Sequence, residues 1–320
     1  NDNRFKLGLF GMNCSTSVAT TAPERWTADW EDNVAAARLA DEAGLEFLLP
    51  IARWRGYGGL TDRQGSTYET LSWASAMLAS TRGIDVFATV HVPLVNPVFA
   101  AKASATAHHV GQGRYGLNVV SGWNLDEFGM FGAKLLEHDE RYAYTTEWLE
   151  IVRRIWAGET FDFTGRHFNV TNVSGKPQPL NGQTPLIMSA GSSNAGRAFA
   201  LGNADCLFMV IDDDAKLKEE IASIKSAAKG REIGVFASGH ILCRARRMKR
   251  RTITTTSCMR KATGRRLRPR SPSAWPETRA PCLTPACKSS RSVSSAAAAP
   301  IPSSAAMMRS PIRSIAFRRR

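Results

Sequence analysis

The feature that most constrains the fold of this chain is the alternation of short apolar runs with amphipathic segments along residues 6–243. The apolar runs predict buried parallel strands, and the segments with helical spacing predict the helices between them. Predicted strands cover residues 6–11, 47–51, 84–90, 115–120, 185–190, 206–211 and 233–242. Predicted helices cover residues 30–43, 68–80, 97–109, 138–156, 195–201 and 214–229. Alternating apolar residues around Gly165 add a β-hairpin over residues 161–170.

Repeated strand–helix units of this kind favour a parallel sheet covered by helices. Seven strands before residue 243 predict an α/β fold of the (β/α)8 TIM-barrel type whose last unit is missing. An open, doubly wound sheet is the structural alternative. Against it, Gly8 and Gly11 lack the third glycine and the helix that a dinucleotide-binding fingerprint requires after the first strand.

Composition places the chain among ordinary globular proteins, since 43% of its residues are hydrophobic and 22% are charged. No apolar run reaches the roughly 18 residues that a membrane span needs. The six cysteines show no metal-binding spacing, so we expect free thiols and a cytoplasmic location.

Charge divides the chain at residue 243. Residues 1–243 hold 22 Lys and Arg against 27 Asp and Glu, a net charge of −5. Residues 244–320 hold 20 basic residues and one acid, Glu277, a net charge of +19. We therefore predict a barrel domain over 1–243 and a basic, low-complexity, disordered tail over 244–320. One interpretation is a tail that binds nucleic acid.

The other interpretation, which we favour, is a shift of the reading frame near residue 244. In the shifted frame, each codon consists of the last base of one present codon and the first two bases of the next. Across residues 247–266 this frame permits an acidic, aromatic segment typical of a barrel helix. The consequence is physical, because the natural helix seven, strand eight and closing helix would be missing. Such a barrel exposes strand edges and part of its core.

Polar residues lie at the predicted carboxyl ends of the strands, where parallel barrels carry their functional sites. Thr89, His91 and Asn118 are among them, without an acid pair or a metal-ligand cluster. His108 and His109 are neighbours on a helix, point in different directions and predict no metal site. Residues 189–196 (SAGSSNAG) lead from a strand into a helix, which suits a phosphate group or, alternatively, an ordinary capped turn.

An ordered set of motifs resembles the bacterial luciferase-like flavin-dependent monooxygenases. These are RGYGG at 55–59, NVVSGW at 118–123, HDERY at 138–142, FTGRHF at 163–168 and AGSSNAG at 190–196. The resemblance covers residues 5 to about 243 and is strongest to the branch of dimethyl sulfone, alkanesulfonate and pyrimidine monooxygenases. Alkanesulfonate enzymes place a Cys shortly after the second strand, where this chain has Arg53-Trp54-Arg55.

The resemblance implies a TIM barrel that binds reduced FMN from a separate NAD(P)H:flavin reductase. Ile51 and Ala52 would pack on the flavin, Asn118 would hydrogen-bond its ring, and Glu127 would lie nearby. The phosphate would be held by Arg141, Tyr142 and Ser193. The full set of cofactor-binding candidates is Ile51, Ala52, Thr89, Asn118, Glu127, Arg141, Tyr142 and Ser193. His240 is the candidate catalytic residue, with a structural role as the alternative.

The implied reaction uses O2 through a flavin-4a peroxide or hydroperoxide on a small organosulfur or nitrogen-containing substrate. The protein would exclude water and orient the substrate, with Phe10, Met12, Trp54 and Trp123 as candidate pocket walls. We also expect a homo-oligomer. The alternatives are a flavin-binding but inactive barrel, or a nucleic-acid binder that uses the basic tail.

Overall fold

The computed structural model describes residues 5–16, 18–191, 193–210 and 214–239. Seven strands form one sheet in which every neighbouring pair is parallel, and two further strands form a separate antiparallel hairpin. The strands of the sheet are β1 Gly8–Phe10, β2 Phe47–Leu49, β3 Asp85–His91, β4 Tyr115–Val120, β7 Leu186–Ser189, β8 Cys206–Val210 and β9 Gly234–Ser238. The hairpin strands are β5 Phe161–Thr164 and β6 Asn169–Val173.

The strands of the sheet alternate with helices. The helices are α1 Trp30–Glu42, α2 Thr70–Ser80, α3 Pro97–Val110, α4 Leu125–Met130, α5 His138–Trp156, α6 Asn194–Asn203 and α7 Asp214–Ala227, with short 3-10 turns at Val92–Leu94 and Leu180–Gly182. Side-chain caps fix three helix starts. Glu69 accepts hydrogen bonds from the first turn of α2, Asn96 from that of α3, and Ser193 from that of α6. The predicted elements are confirmed with small shifts at their ends, except that α4 was not predicted.

The sheet follows chain order, β1-β2-β3-β4-β7-β8-β9, which contradicts a doubly wound sheet, where the order reverses at a switch point. Its two ends curl towards each other. The ring of Phe47 on β2 lies 5.1 Å from that of Phe236 on β9, and Phe10 on β1 lies 5.0 Å from Phe208 on β8. The strands therefore form a barrel that is nearly closed.

Two apolar cores hold this arrangement together. The smaller one fills the barrel interior and contains Leu49, Phe87, Met188 and Cys206. Glycines make room for its rings, since a Cβ on Gly116 would lie 2.4 Å from the ring of Phe87. The larger core lies between the strands and the helices and includes fully buried side chains such as Trp73, Leu117, Trp148 and Ile187.

The hairpin β5–β6 is fixed to α5 by one carboxylate. Glu147 accepts hydrogen bonds from the backbone N–H groups of Arg166, His167 and Phe168, at 2.8, 2.9 and 3.2 Å. Burial is the largest single effect on its pKa and opposes ionisation, but these three donors together lower the pKa below its ordinary value of 4.5.

Within the part of the chain that the structure describes, no helix is long and apolar enough to cross a membrane. The predicted domain boundary at residue 243, the basic tail 244–320 and the candidate His240 lie outside the described residues.

Candidate functional site

The carboxyl end of β2 leads into a segment whose backbone is fixed by a buried asparagine. Ile51 donates its N–H to Asn13 Oδ1 at 2.8 Å, and Asn13 Nδ2 donates to the carbonyls of Ile51 and Tyr68 at 2.9 and 3.1 Å. Asn13 is fully buried. Ile51 and Ala52, both half-buried, are thereby held at the mouth of the barrel.

Thr89 and Asn118 lie side by side at the ends of β3 and β4. The Thr89 hydroxyl donates to the Pro50 carbonyl at 2.6 Å and accepts from Asn118 Nδ2 at 3.1 Å. Asn118 Oδ1 is buried and has no hydrogen-bond partner among the described residues. Because an unpaired buried acceptor costs free energy, this oxygen is suited to a ligand N–H group.

Glu127, on α4, is a fully buried carboxylate. Its Oε1 accepts from the backbone N–H groups of Trp54 and Arg55 at 3.0 and 3.3 Å and from Arg53 Nη1 at 3.3 Å. Its Oε2 lies 3.5 Å from Nδ1 of His91, at the end of β3. The carboxylate therefore holds residues 53–55, the segment that follows β2, in place.

Arg53 is held on several sides. Its Nε donates to Gln64 Oε1 at 3.1 Å, and its guanidinium carbon lies 5.0 Å from the ring centres of both Tyr57 and Trp123. Such cation–π contacts stiffen the wall of the site. On the outer side, a cavity of about 260 Å³ is lined by Arg53, Arg55, Gly56, Tyr57, Gly58, Trp123, Asn124 and Asp126.

A second group of predicted residues meets at the start of α6. Ser193 Oγ accepts from the Gly196 N–H at 3.1 Å, and the hydroxyl of Tyr142 lies 3.3 Å from it. A Cβ on Gly196 would be 2.6 Å from the Tyr142 hydroxyl and 2.7 Å from Gly191 Cα. Only glycine therefore allows the start of α6 to pack this closely against Tyr142 and Gly191, and the N-terminus of a helix is a place where phosphate can bind. Ser192, within this loop, lies outside the described residues.

Arg141 reaches from α5 towards the end of β4. Its Nη1 donates to the Gly122 carbonyl at 2.6 Å, and its Nε is buried without a hydrogen-bond partner among the described residues. A buried guanidinium nitrogen of this kind can donate to an anion.

The predicted cofactor-binding residues form three groups in the structure. Ile51, Ala52, Thr89 and Asn118 lie at the ends of β2, β3 and β4; Tyr142 and Ser193 meet at α6, with Arg141 beside Tyr142 on α5; and Glu127 lies behind residues 53–55. Of the predicted pocket walls, Phe10, Trp54 and Trp123 are 40–45% exposed, but Met12 is 7% exposed and belongs to the larger core.

His108 and His109 contact different groups, Leu180 N–H and the Gln178 carbonyl, and no cluster of potential metal ligands occurs among the described residues. Sequence reasoning missed the roles of Asn13, Arg53 and His91. For His91 and Arg53 the strand-end position was the available signal, and for Asn13 there was none.

A family model described as luciferase-like monooxygenase matches residues 6–298. The chain is 30% identical over 243 residues to a pyrimidine monooxygenase of Enterobacter sp. (strain 638), covering 72% of this chain and 65% of the relative. It is 32% identical over 230 residues to an FMNH2-dependent dimethylsulfone monooxygenase of Pseudomonas putida, covering 71% and 62%. The chain thus spans slightly less than two thirds of the length of these relatives.

Solved structures agree with the fold. A riboflavin lyase crystallised with modified FMN and riboflavin superposes with a TM-score of 0.66 at 25% identity, covering 74% of this chain and 62% of that one. A long-chain alkane monooxygenase superposes with a TM-score of 0.65 at 24% identity, covering 74% and 64%.

Proposed function

The chain belongs to the luciferase-like monooxygenase family, and from that premise we propose that it is an FMNH2-dependent monooxygenase of the two-component type. The observation that carries the proposal is a site in two parts. Asn118 Oδ1, a buried amide oxygen without a hydrogen-bond partner among the described residues, lies at the strand ends, and the hydroxyls of Tyr142 and Ser193 meet at the start of α6. Bound reduced FMN would supply the reaction of O2 and the transfer of one oxygen atom to the substrate.

At the strand ends, the residues fit a flavin ring. Ile51 and Ala52 offer a half-buried apolar edge whose backbone Asn13 holds in place. Asn118 Oδ1 accepts a ring N–H, and Thr89 keeps the Asn118 amide oriented because it accepts from the amide nitrogen. The orientation is therefore set before the ligand binds, which reduces the entropy lost on binding.

At the start of α6, the residues fit a phosphate. Ser193 and Tyr142 each carry a hydroxyl that can donate to phosphate oxygens, and Arg141, which precedes Tyr142 on α5, has a buried Nε without a partner among the described residues. The first turn of α6 contains no acidic residue of its own, which suits an anion at the N-terminus of the helix. Glu127 has a different part, because its carboxylate binds the segment 53–55 and positions Arg53.

Around the ring part of the site, the chain carries large aromatic side chains that are partly exposed. Trp54 stacks edge-on against Phe131 at 4.9 Å, and Trp123 packs against Arg53. The outer cavity between residues 53–58 and 123–126 would take the substrate. A small organosulfur or nitrogen-containing compound is supported by the named substrates of the relatives, dimethylsulfone and pyrimidine.

Partners follow from the same premise. Reduced FMN comes from a separate NAD(P)H:flavin reductase, and the chain acts in the cytoplasm as a homo-oligomer.

The two described cysteines, Cys14 and Cys206, are free and buried, and burial raises the pKa of each thiol, which suits a structural role.

The test is O2 consumption by the full chain with FMN, NADPH and a flavin reductase, in the presence of dimethylsulfone or uracil as trial substrates. Substrate-dependent product formation supports the proposal. Binding of FMN without product would favour the inactive-barrel alternative. Salt-sensitive DNA binding that is lost when residues 244–320 are deleted, with no FMN binding, would favour the nucleic-acid alternative.

A further inference from the structure

His91 is a buried histidine at the end of β3, and none of the flavin contacts proposed above involves it. Its side chain is 3% exposed. Burial lowers its pKa below the ordinary 6.5, and although the Glu127 charge opposes this effect, the Arg53 charge reinforces it. Burial thus favours the neutral form of His91, in which one ring nitrogen carries a proton while the other accepts.

Glu127 selects which nitrogen carries the proton. Its Oε1 takes all three donors of residues 53–55, whereas Oε2 lies 3.5 Å from His91 Nδ1. Neither Oε2 nor Nδ1 has a hydrogen-bond partner among the described residues. A proton on Nδ1 satisfies both atoms after a small movement, whereas a proton on Nε2 leaves two acceptors facing each other. The Nδ1–H tautomer is thus the favoured one.

The same ring lines an inner cavity of about 120 Å³, together with Ala52, Glu69, Thr70 and Thr89. Three of the polar side chains around it already have partners. The hydroxyls of Thr70 and Thr89 donate to the Thr89 and Pro50 carbonyls, and Glu69 caps α2. Once Nδ1 faces Glu127, Nε2 is the ring nitrogen left to accept a hydrogen bond from a molecule in this cavity.

We propose that His91 is a positioning residue of the flavin site, in which Glu127 fixes the Nδ1–H tautomer and Nε2 accepts a hydrogen bond from a water molecule or ring N–H group held beside Ala52 and Thr89. The inference rests on the proposed function, because Ala52 and Thr89 are flavin contacts there. It adds a neutral acceptor to a site whose candidate proton-handling residue, His240, lies outside the described residues.

The first test is nitrogen NMR of the full chain labelled with 15N-histidine, using His91→Gln to assign the resonance. We expect Nδ1–H for His91, no titration between about pH 5.5 and 8, and a shift of Nε2 when reduced FMN is added without oxygen. His108 is an internal control. Its Nδ1 accepts from the Leu180 N–H at 3.0 Å, so the opposite tautomer is expected and FMN should leave it unchanged.

The second test uses two variants that separate the ring nitrogens. His91→Asn keeps a donor near Glu127 but removes the Nε2 acceptor, so the melting temperature should be nearly retained while the Kd for reduced FMN rises about 2- to 12-fold. His91→Gln offers an oxygen near the Nε2 position but removes the Nδ1 donor, so affinity should be retained and the melting temperature lowered. A purely structural His91 predicts equal FMN affinity for both variants.

An Nε2–H tautomer in the free chain would overturn the inference. So would saturating FMN that leaves the Nε2 resonance of His91 unchanged, and in that case FMN binding itself, and with it the proposed function, would stand. Failure of the wild-type chain to bind FMN would instead overturn the proposed function, and the placement of His91 in a flavin site would be refuted with it.

Discussion

Replacing Ser193 with alanine tests the phosphate part of the site. The Ser193 hydroxyl caps α6 through its lone pair, accepting from the Gly196 N–H at 3.1 Å. Its own proton remains available to a phosphate oxygen, so capping and ligand binding are compatible. A hydrogen bond to a charged group is worth about 1.5–3 kcal/mol, and its loss should raise the Kd for reduced FMN about 10- to 150-fold. Loss of the cap should separately cost about 1 kcal/mol of stability.

A matched variant separates the two effects. Asn96 caps α3 in the same way, accepting from the N–H groups of Val98 and Phe99, and belongs to none of the site groups. Asn96→Ala should therefore lower the free energy of unfolding by about 1 kcal/mol without changing FMN affinity. Fluorescence titration of FMN and urea unfolding, performed on the same preparations, give both quantities.

Tyr142→Phe completes the experiment because it removes a hydroxyl while keeping the ring that packs on Phe199 and His138. It should weaken FMN binding by a similar factor. The double variant with Ser193→Ala should deviate from additivity, since the two hydroxyls lie 3.3 Å apart. FMN affinity within two-fold of wild type (about 0.4 kcal/mol) in both single variants would refute the phosphate assignment.

Three other perturbations test the fold. The folded-state pKa of Glu147 is depressed, so its stabilising effect is present above pH about 4.5 and is lost as the pH falls through the folded-state pKa. Glu147→Gln should therefore reduce the fall of the melting temperature at acidic pH. Glu150→Gln, at an exposed position on the same helix, should leave that fall unchanged. Gly116→Ala forces a Cβ into the Phe87 ring and should cost about 1–3 kcal/mol in urea unfolding, whereas Gly202→Ala, with open space around it, should not destabilise; equal stability of the two variants would contradict the packing of the barrel interior. The protein encoded by a gene corrected for the proposed frame shift should unfold more cooperatively and at a higher temperature than the present chain. Identical melting curves for the two proteins would refute the frame-shift hypothesis.

Periodicity sufficed to predict most of the fold. The strands and long helices carry their signal locally, as in α5, whose bounds His138–Trp156 match the prediction. Helix α4 was missed because six residues, Leu125–Met130, are too short to show a helical period. The choice between a barrel and an open sheet depended on contacts between distant strands, such as Phe47 with Phe236, which no local pattern contains.

The site shows the same division. Asn118 and Thr89 were predicted because strand ends meet at one edge of a parallel sheet, and they do form a hydrogen bond. Glu127 was expected near the flavin, but no local pattern indicated that it is fully buried, since acidic side chains are rarely so. Its partner Arg53 lies 74 residues away, and only the folded chain brings the two charges within 3.3 Å.

The described contacts separate cofactor binding from turnover. Every residue proposed to hold FMN lies between Ile51 and Ser193, and the hydrogen bonds that orient these residues come from residues 13–196. Among the described residues, none of these bonds involves β9. Oxygen transfer also needs a site closed to water and a residue that donates or accepts a proton. The candidate for this proton transfer, His240, and the basic tail lie outside the described residues. If the reading frame is shifted near residue 244, we expect this chain to bind FMN as tightly as the protein from a frame-corrected gene does, but to give a lower product yield than that protein.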